Sequence, residues 1–187
     1  MAGGPGYAAV LRRTYDAPAE DVWDAITTPE RLERWFLPVS GNLEHGGKFQ
    51  LEGHAGGDIV ECDRPRKLHL TWMAEGHPAN EIVLVLTADG DSRTTLELEH
   101  SGPGEGDEVI GHVLAVGVGW DPALIALGQQ VAGETPDKQW WFESPEALEF
   151  TKMSVRSWAE VLKDRKVADA DAVDKTAEET LGFYTPE

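Results

Sequence analysis

Six histidines, one cysteine and 34 carboxylate side chains are the groups in this 187-residue sequence that can do chemistry, and their spacing narrows which chemistry. His45, His54, His69, His77, His100 and His112 include no pair at the helical spacing that sets two imidazoles on one face. Asp169-Ala170-Asp171 followed by Asp174 lacks the glycine and closing glutamate of a calcium loop. Cys62 stands alone, too few for a thiolate metal site or an internal disulfide, so no metal is expected. Gly102-Pro103-Gly104-Glu105-Gly106 is not followed by the Lys-Ser/Thr of a phosphate cradle and reads as a turn into a helix. No Gly-x-Ser-x-Gly nucleophile elbow occurs either, and no cofactor is implied.

Acid–base chemistry is what remains. His100 ends a segment in which Leu96, Leu98 and His100 fall in step, which puts an imidazole on an apolar face. With an ordinary pKa of about 6.5 it suits proton exchange with a ligand, but a lone histidine with no identified partner is read first as a satisfied structural one. Asp58 and Glu61 approach the same sheet from one face or the other, depending on strand register. No acid–base pair emerges, and no residue is assigned as catalytic.

The elements that position these residues follow from periodicity. Tyr7 to Tyr15 reads as a first strand ending at Asp16-Ala17-Pro18. A helix follows, capped by Asp16 or Ala17 with Pro18 just inside it, Glu20 and Asp21 in its first turn, and Val22, Trp23 and Ile26 at helical spacing. Thr28 caps a second short helix with Pro29 at its first position and Leu32, Trp35 and Phe36 on one face. Next come about five period-two segments bounded by Gly, Pro or Asp, the pattern of an antiparallel meander. Phe49 and Leu51 share a face in the first, Val60 and Cys62 in the second, and Leu68, Leu70 and Trp72 in the third. Ile82, Leu84 and Leu86 do so in the fourth, and Asp89-Gly90-Asp91 is a hairpin signal leading into the fifth.

Asp107 opens a largely apolar helical segment carrying Val109, Ile110, Val113, Leu114 and Val116. Glycines 117 and 119 and the Asp121-Pro122 pair predict a bend or restart near Trp120, after which Leu124, Ile125, Leu127 and Val131 continue the stripe to Gly133. This element is expected to lie across the sheet. Beyond it the composition turns polar, with Trp140-Trp141-Phe142 in a loop as a staple, a lid or a partner patch. Ser144-Pro145-Glu146 starts a helix running to about Lys166, with Leu148, Val155, Trp158 and Leu162 as its stripe, and Ala170 to Leu181 forms a last amphipathic segment.

Composition limits the partners. Hydrophobic residues make up 41% and charged residues 27% of the chain, ordinary for a globular protein. A formal net charge of −18 repels phosphate backbones and anionic headgroups, so neither nucleic acid nor a membrane surface is expected as a partner. No window is expected to reach the roughly 18 apolar residues of a membrane span. Met1 to Arg13 has no apolar signal core, so the mature chain is expected to start near Met1 and, with one thiol, to be cytoplasmic.

The order strand, helix pair, antiparallel sheet, long helix is the helix-grip arrangement, an α+β fold in which a curved antiparallel sheet wraps around a long C-terminal helix. The stretch from Tyr15-Asp16-Ala17-Pro18 through Thr28-Pro29-Glu30 to Arg34-Trp35-Phe36 resembles the opening of the SRPBCC superfamily (START, birch-allergen-like, polyketide-cyclase). Gly46-Gly47-Lys48-Phe49, the run from Arg64-Pro65 to Thr71-Trp72, Leu96 to Gly102, and Gly119-Trp120 with Leu124 and Leu127 are similar to its subfamily of heat-shock-protein-90 ATPase activator homologues. The resemblance implies a helix-grip domain over 7–133, with 134–187 as a helical extension packed on it. It also implies a cavity between sheet and long helix that holds an apolar or amphipathic small molecule. That cavity would be lined by Phe49, Leu51, Val60, Leu70, Trp72, Leu84, Leu98 and His100 from the sheet, Trp35 and Phe36 from the helix pair, and Trp120 and Leu124 from the long helix; the same residues equally fill a core. Function on this scaffold is diverse. The expected partner is a small hydrophobic molecule; the subfamily also implies a chaperone partner and a stress response, and cyclase or hydrolase chemistry is a third alternative.

Overall fold

The computed structural model describes residues 5–137 and 144–184. Trp140-Trp141-Phe142 lies outside them. The chain runs β1 (Gly6–Tyr15), α1 (Ala19–Thr27), α2 (Pro29–Trp35), β2 (Val39–Gly41), β3 (Lys48–Leu51), β4 (Gly56–Asp63), β5 (Lys67–Trp72), β6 (Asn80–Asp89), β7 (Arg93–Pro103), α3 (Glu108–Val131), α4 (Pro145–Asp164) and α5 (Ala170–Tyr184). The strands form one open, curved antiparallel sheet in the order β1-β7-β6-β5-β4-β3-β2, with α3 packed across it. The α+β helix-grip expectation holds. The sheet has one strand that the sequence pattern did not show: β2 spans three residues, too short to display a period, and is defined by pairing Val39 with Leu51.

At the first turn, Pro18 sits one position earlier than expected, as the N-cap in extended conformation, and its carbonyl accepts from the N–H groups of Asp21 and Val22. α1 buries Val22, Trp23, Ala25 and Ile26, and Trp35 Nε1–H of α2 donates to the Ala25 carbonyl at 2.9 Å, so the two helices form one bent unit.

Two expectations are corrected by backbone detail. Strict alternation in β4 puts Val60 and Cys62 on the inner face, but Ile59 pairs with Leu70 and Glu61 with His69, so Val60 is an extra residue inserted opposite no partner. This bulge shifts the phase by one residue. Ile59, at 4% exposure, faces the core, and Val60, at 43%, faces solvent.

The second correction concerns α3, which runs unbroken from Glu108 to Val131 with Pro122 inside it. Proline has no N–H for the carbonyl four residues earlier and normally breaks a helix. Packing on both sides holds this one. Its second half, with Ala123, Leu124, Ala126 and Leu127, joins the core under the sheet, while Ile110, Val113, Leu114 and Val118 of its first half join a second core with Tyr7, Ala9, α4 and α5. Apolar on two sides, α3 has an 18-residue window of mean hydropathy 1.6, long and apolar enough by that measure to cross a membrane, against expectation. Half of that window is buried within the fold, which accounts for its composition.

α4 begins as expected: Ser144 Oγ accepts from the N–H of Ala147, and Pro145 takes the first position. It docks on α3 through Trp158, whose indole lies where Gly117 has no side chain; an added Cβ there would stand 2.2 Å from Trp158 Nε1. Trp158 Nε1–H and Ser154 Oγ–H both donate to Asp121 Oδ2, at 3.1 and 2.6 Å. Trp158 packs against both cores.

Candidate functional site

Between α3 and the inner sheet face lies an apolar cavity of about 100 Å³. Only about 10–15 Å³ by a comparable measure is needed to hold a water molecule. Strands supply most of the wall, because the inward series of β5, β6 and β7 (Leu68, Leu70 and Trp72; Ile82 and Leu84; Leu96 and Leu98) stand side by side through the pairs Leu70↔Ile82, Leu68↔Leu84 and Leu84↔Leu98. β3 and β4 add Phe49, Leu51, Ile59 and Cys62, the helix pair adds Ile26, Thr27, Leu32, Trp35 and Phe36, and α3 adds Trp120, Leu124 and Leu127.

Burial along these strands locates the free space. Ile82 and Leu98 are 1% exposed, as expected in the middle of a sheet under a helix, yet Leu70 and Leu84 beside them are only partly buried. In a close-packed interior such side chains are fully covered. Left unfilled, apolar space of this volume costs on the order of 2 kcal/mol.

Ten of the twelve side chains named from sequence line this cavity: Trp35, Phe36, Phe49, Leu51, Leu70, Trp72, Leu84, Leu98, Trp120 and Leu124. Val60 does not, for the reason given by the bulge. His100 is buried, at 5% exposure, but sits behind the wall, with its ring edge-to-face against Trp72 and Trp120 at centroid distances of 6.2 and 6.4 Å. Leu68, Ile82 and Leu96, in step with residues already named, were missed although period two identifies them. Val39 and Leu43 were missed because their segment has no period to read.

Aromatic rings close one end of the cavity. Phe36 stacks on Trp35 at 5.4 Å and on Trp120 at 5.5 Å, and Trp72 contacts Trp120, Phe49 and His54. Trp120 Nε1–H donates to His100 Nδ1 at 3.1 Å. An indole N–H only donates, so Nδ1 carries no proton and the neutral ring holds its hydrogen on Nε2. Burial lowers the pKa of His100 from its ordinary value to about 4. Its Nε2 is buried with no hydrogen-bond partner among the described residues.

Among the described residues no carboxylate is bonded to His100. Asp58 pairs with Lys48 and Glu61 with Lys67, all partly exposed, and neither carboxylate lines the cavity. The Cys62 thiol, on the wall, is held above its ordinary pKa by burial, with Arg64 opposing and Asp63 adding to the shift. Among the described residues no group of three or more His, Cys, Asp or Glu side chains converges as a metal site.

A curved antiparallel sheet gripping a long helix over an apolar cavity defines the SRPBCC architecture. Within it, the chain belongs to the family described as Activator of Hsp90 ATPase homolog 1-like protein, whose profile matches residues 16–131. Among solved structures it is similar to CalU16 from Micromonospora echinospora, with 38% identity over 87% of this chain and 92% of that one and a TM-score of 0.74. The part of this chain that CalU16 leaves uncovered is shorter than the segment after Gly133, so the likeness reaches into the C-terminal helices. It is also similar to PFC0360w, an HSP90 activator from Plasmodium falciparum (23% identity, 70% of this chain and 99% of that one, TM-score 0.57). DynU16, a protein of the dynemicin biosynthetic locus, matches at 23% identity over 68% of this chain and 48% of that one, with a TM-score of 0.60. These last two likenesses concern the fold alone. No curated protein sequence matches the chain.

Proposed function

We propose that the protein binds an apolar or amphipathic small molecule in the cavity between its sheet and α3, acting in the cytoplasm. One observation carries this reading: partly uncovered Leu70 and Leu84, in the middle of central strands, face apolar free space under the helix. Apolar lining with few polar groups is the usual character of a small-molecule site. Native mass spectrometry of the purified protein and a thermal-shift screen with hydrophobic compounds test it. A retained mass or a concentration-dependent rise in Tm supports the reading; no retained mass and no shift across a chemically broad set counts against it.

A second reading, a chaperone-associated module, is favoured by the family description and by the fold shared with an HSP90 activator. It requires the protein to bind heat-shock protein 90 and change its ATP turnover, and an ATPase assay with the purified pair decides it. The enzymatic alternative built on His100 has less support, because the ring bonds to an indole and no carboxylate is bonded to it among the described residues.

A further inference from the structure

Two side chains at the aromatic end of the cavity stand in unequal positions. Trp120 of α3 is part of the wall, while His100 of β7 is buried behind it and does not line the space. The Trp120 indole has ring contacts with Phe36, stacked at 5.5 Å, and with Trp72, tilted at 5.7 Å. Stacking sets the plane of a ring but holds it weakly against sliding or turning within that plane. Direction comes from the bond of its Nε1–H to His100 Nδ1 at 3.1 Å, because a hydrogen bond weakens steeply once donor and acceptor fall out of line. Strand register puts the acceptor there: His100 stands opposite Ala9 and Ile82, both buried, on the inward face of the sheet under α3. The same imidazole carries a cost, since its Nε2 is buried with no hydrogen-bond partner. A leucine would have no such orphan. What histidine supplies and leucine lacks is the acceptor at Nδ1.

We infer that His100 is a positioning residue of the binding site: by accepting the Trp120 N–H it fixes the indole in the orientation that walls the cavity, and so raises the affinity for a ligand it does not touch. The inference rests on the cavity-binding reading above and adds the residue that sets the shape of the aromatic end.

Matched variants separate the acceptor from the bulk of the side chain. Asparagine sets an oxygen acceptor where Nδ1 stands, and leucine has the same branched shape with no acceptor. Binding of toluene and of isopropylbenzene, which carry no charge and no hydrogen-bonding group, is measured by calorimetry at neutral pH on the wild type, His100→Asn and His100→Leu. The expected result is an affinity within about twofold of wild type for His100→Asn and a loss of about fivefold for His100→Leu, the effect of one neutral hydrogen bond. In a Trp120→Phe background, where no N–H remains, the same leucine substitution is expected to change affinity by less than about twofold. Equal affinities of the asparagine and leucine variants, or a leucine penalty that persists in that background, overturn the inference and leave the cavity reading intact. A wild-type measurement stands even if a variant fails to fold. Hydrogen exchange of the Trp120 indole N–H is expected to slow on adding either hydrocarbon by a larger factor than that of the Trp158 indole N–H, which is bonded to Asp121 away from the cavity lining. Equal factors overturn the inference as well. If neither hydrocarbon binds the wild type, the cavity reading fails and this one with it.

Discussion

Trp120 on α3 and His100 on β7, twenty residues apart, meet through one hydrogen bond in which the indole donates to Nδ1. The bond ties the helix to the sheet at the aromatic end of the cavity and fixes the tautomer of a ring that burial keeps neutral.

That neutrality has a signature in acid. The folded pKa of His100, about 4, lies below the ordinary value of about 6.5 that the unfolded chain has. Between these values the unfolded state binds a proton that the folded state does not, so this group lowers stability as pH falls through the window and has no effect above it. The loss is at most on the order of 3 kcal/mol. Urea denaturation of wild type and His100→Phe at pH 7.5 and 4.5 is the measurement: the wild type is expected to lose more stability on acidification than the variant. Equal losses exclude the assignment.

The bulge in β4 makes neighbouring residues unequal. Val60→Ser, on the solvent side, is expected to change stability by no more than about 0.5 kcal/mol. Ile59→Ala, on the core side, is expected to cost about 2–4 kcal/mol. Chemical denaturation of the two variants reads the phase of the strand directly, and the reverse order would restore strict alternation.

Free space beside Leu84 admits a larger side chain. Leu84→Phe is expected to fold with stability within about 1 kcal/mol of wild type, because the added atoms enter unoccupied volume instead of crowding a packed core. The same variant is expected to lose the thermal shift given by any compound that binds the wild type. A variant that still responds would show that binding occurs somewhere else.

Glycines 117 and 119 differ in what stands opposite them. Gly117→Ala forces a Cβ against the Trp158 indole and is expected to cost about 1–3 kcal/mol. Gly119, with nothing within 4 Å of an added Cβ, is expected to gain up to about 1 kcal/mol in Gly119→Ala from helix propensity alone. Thermal or urea melts of the pair compare the two sites on one helix.

Strand periodicity made most of the wall legible in the sequence. Leu70 and Trp72, or Leu96 and Leu98, stand in step within one uninterrupted strand, and a side chain's face follows from counting by two. Val60 escaped because a bulge is a property of the pairing between strands, which counting along one strand does not reveal. Pro122 suggested a break by local rules, but the packing that overrides it comes from the sheet on one side and from β1, α4 and α5 on the other, all distant in sequence. The Trp120–His100 bond was invisible for the same reason, since nothing in either segment says the two will meet. His100 was therefore placed on the correct face but credited with access to the cavity that Trp72 and Trp120 screen.

Trp158 packs against both apolar clusters and holds α3 at Gly117 and Asp121, on either side of Trp120. The tail is thus a brace behind the roof of the chamber: a domain cut at Gly133 would turn Ile110, Val113 and Leu114 out to water and free the beam that carries Trp120. The cavity wall is thus backed from its far side, by residues that do not line it.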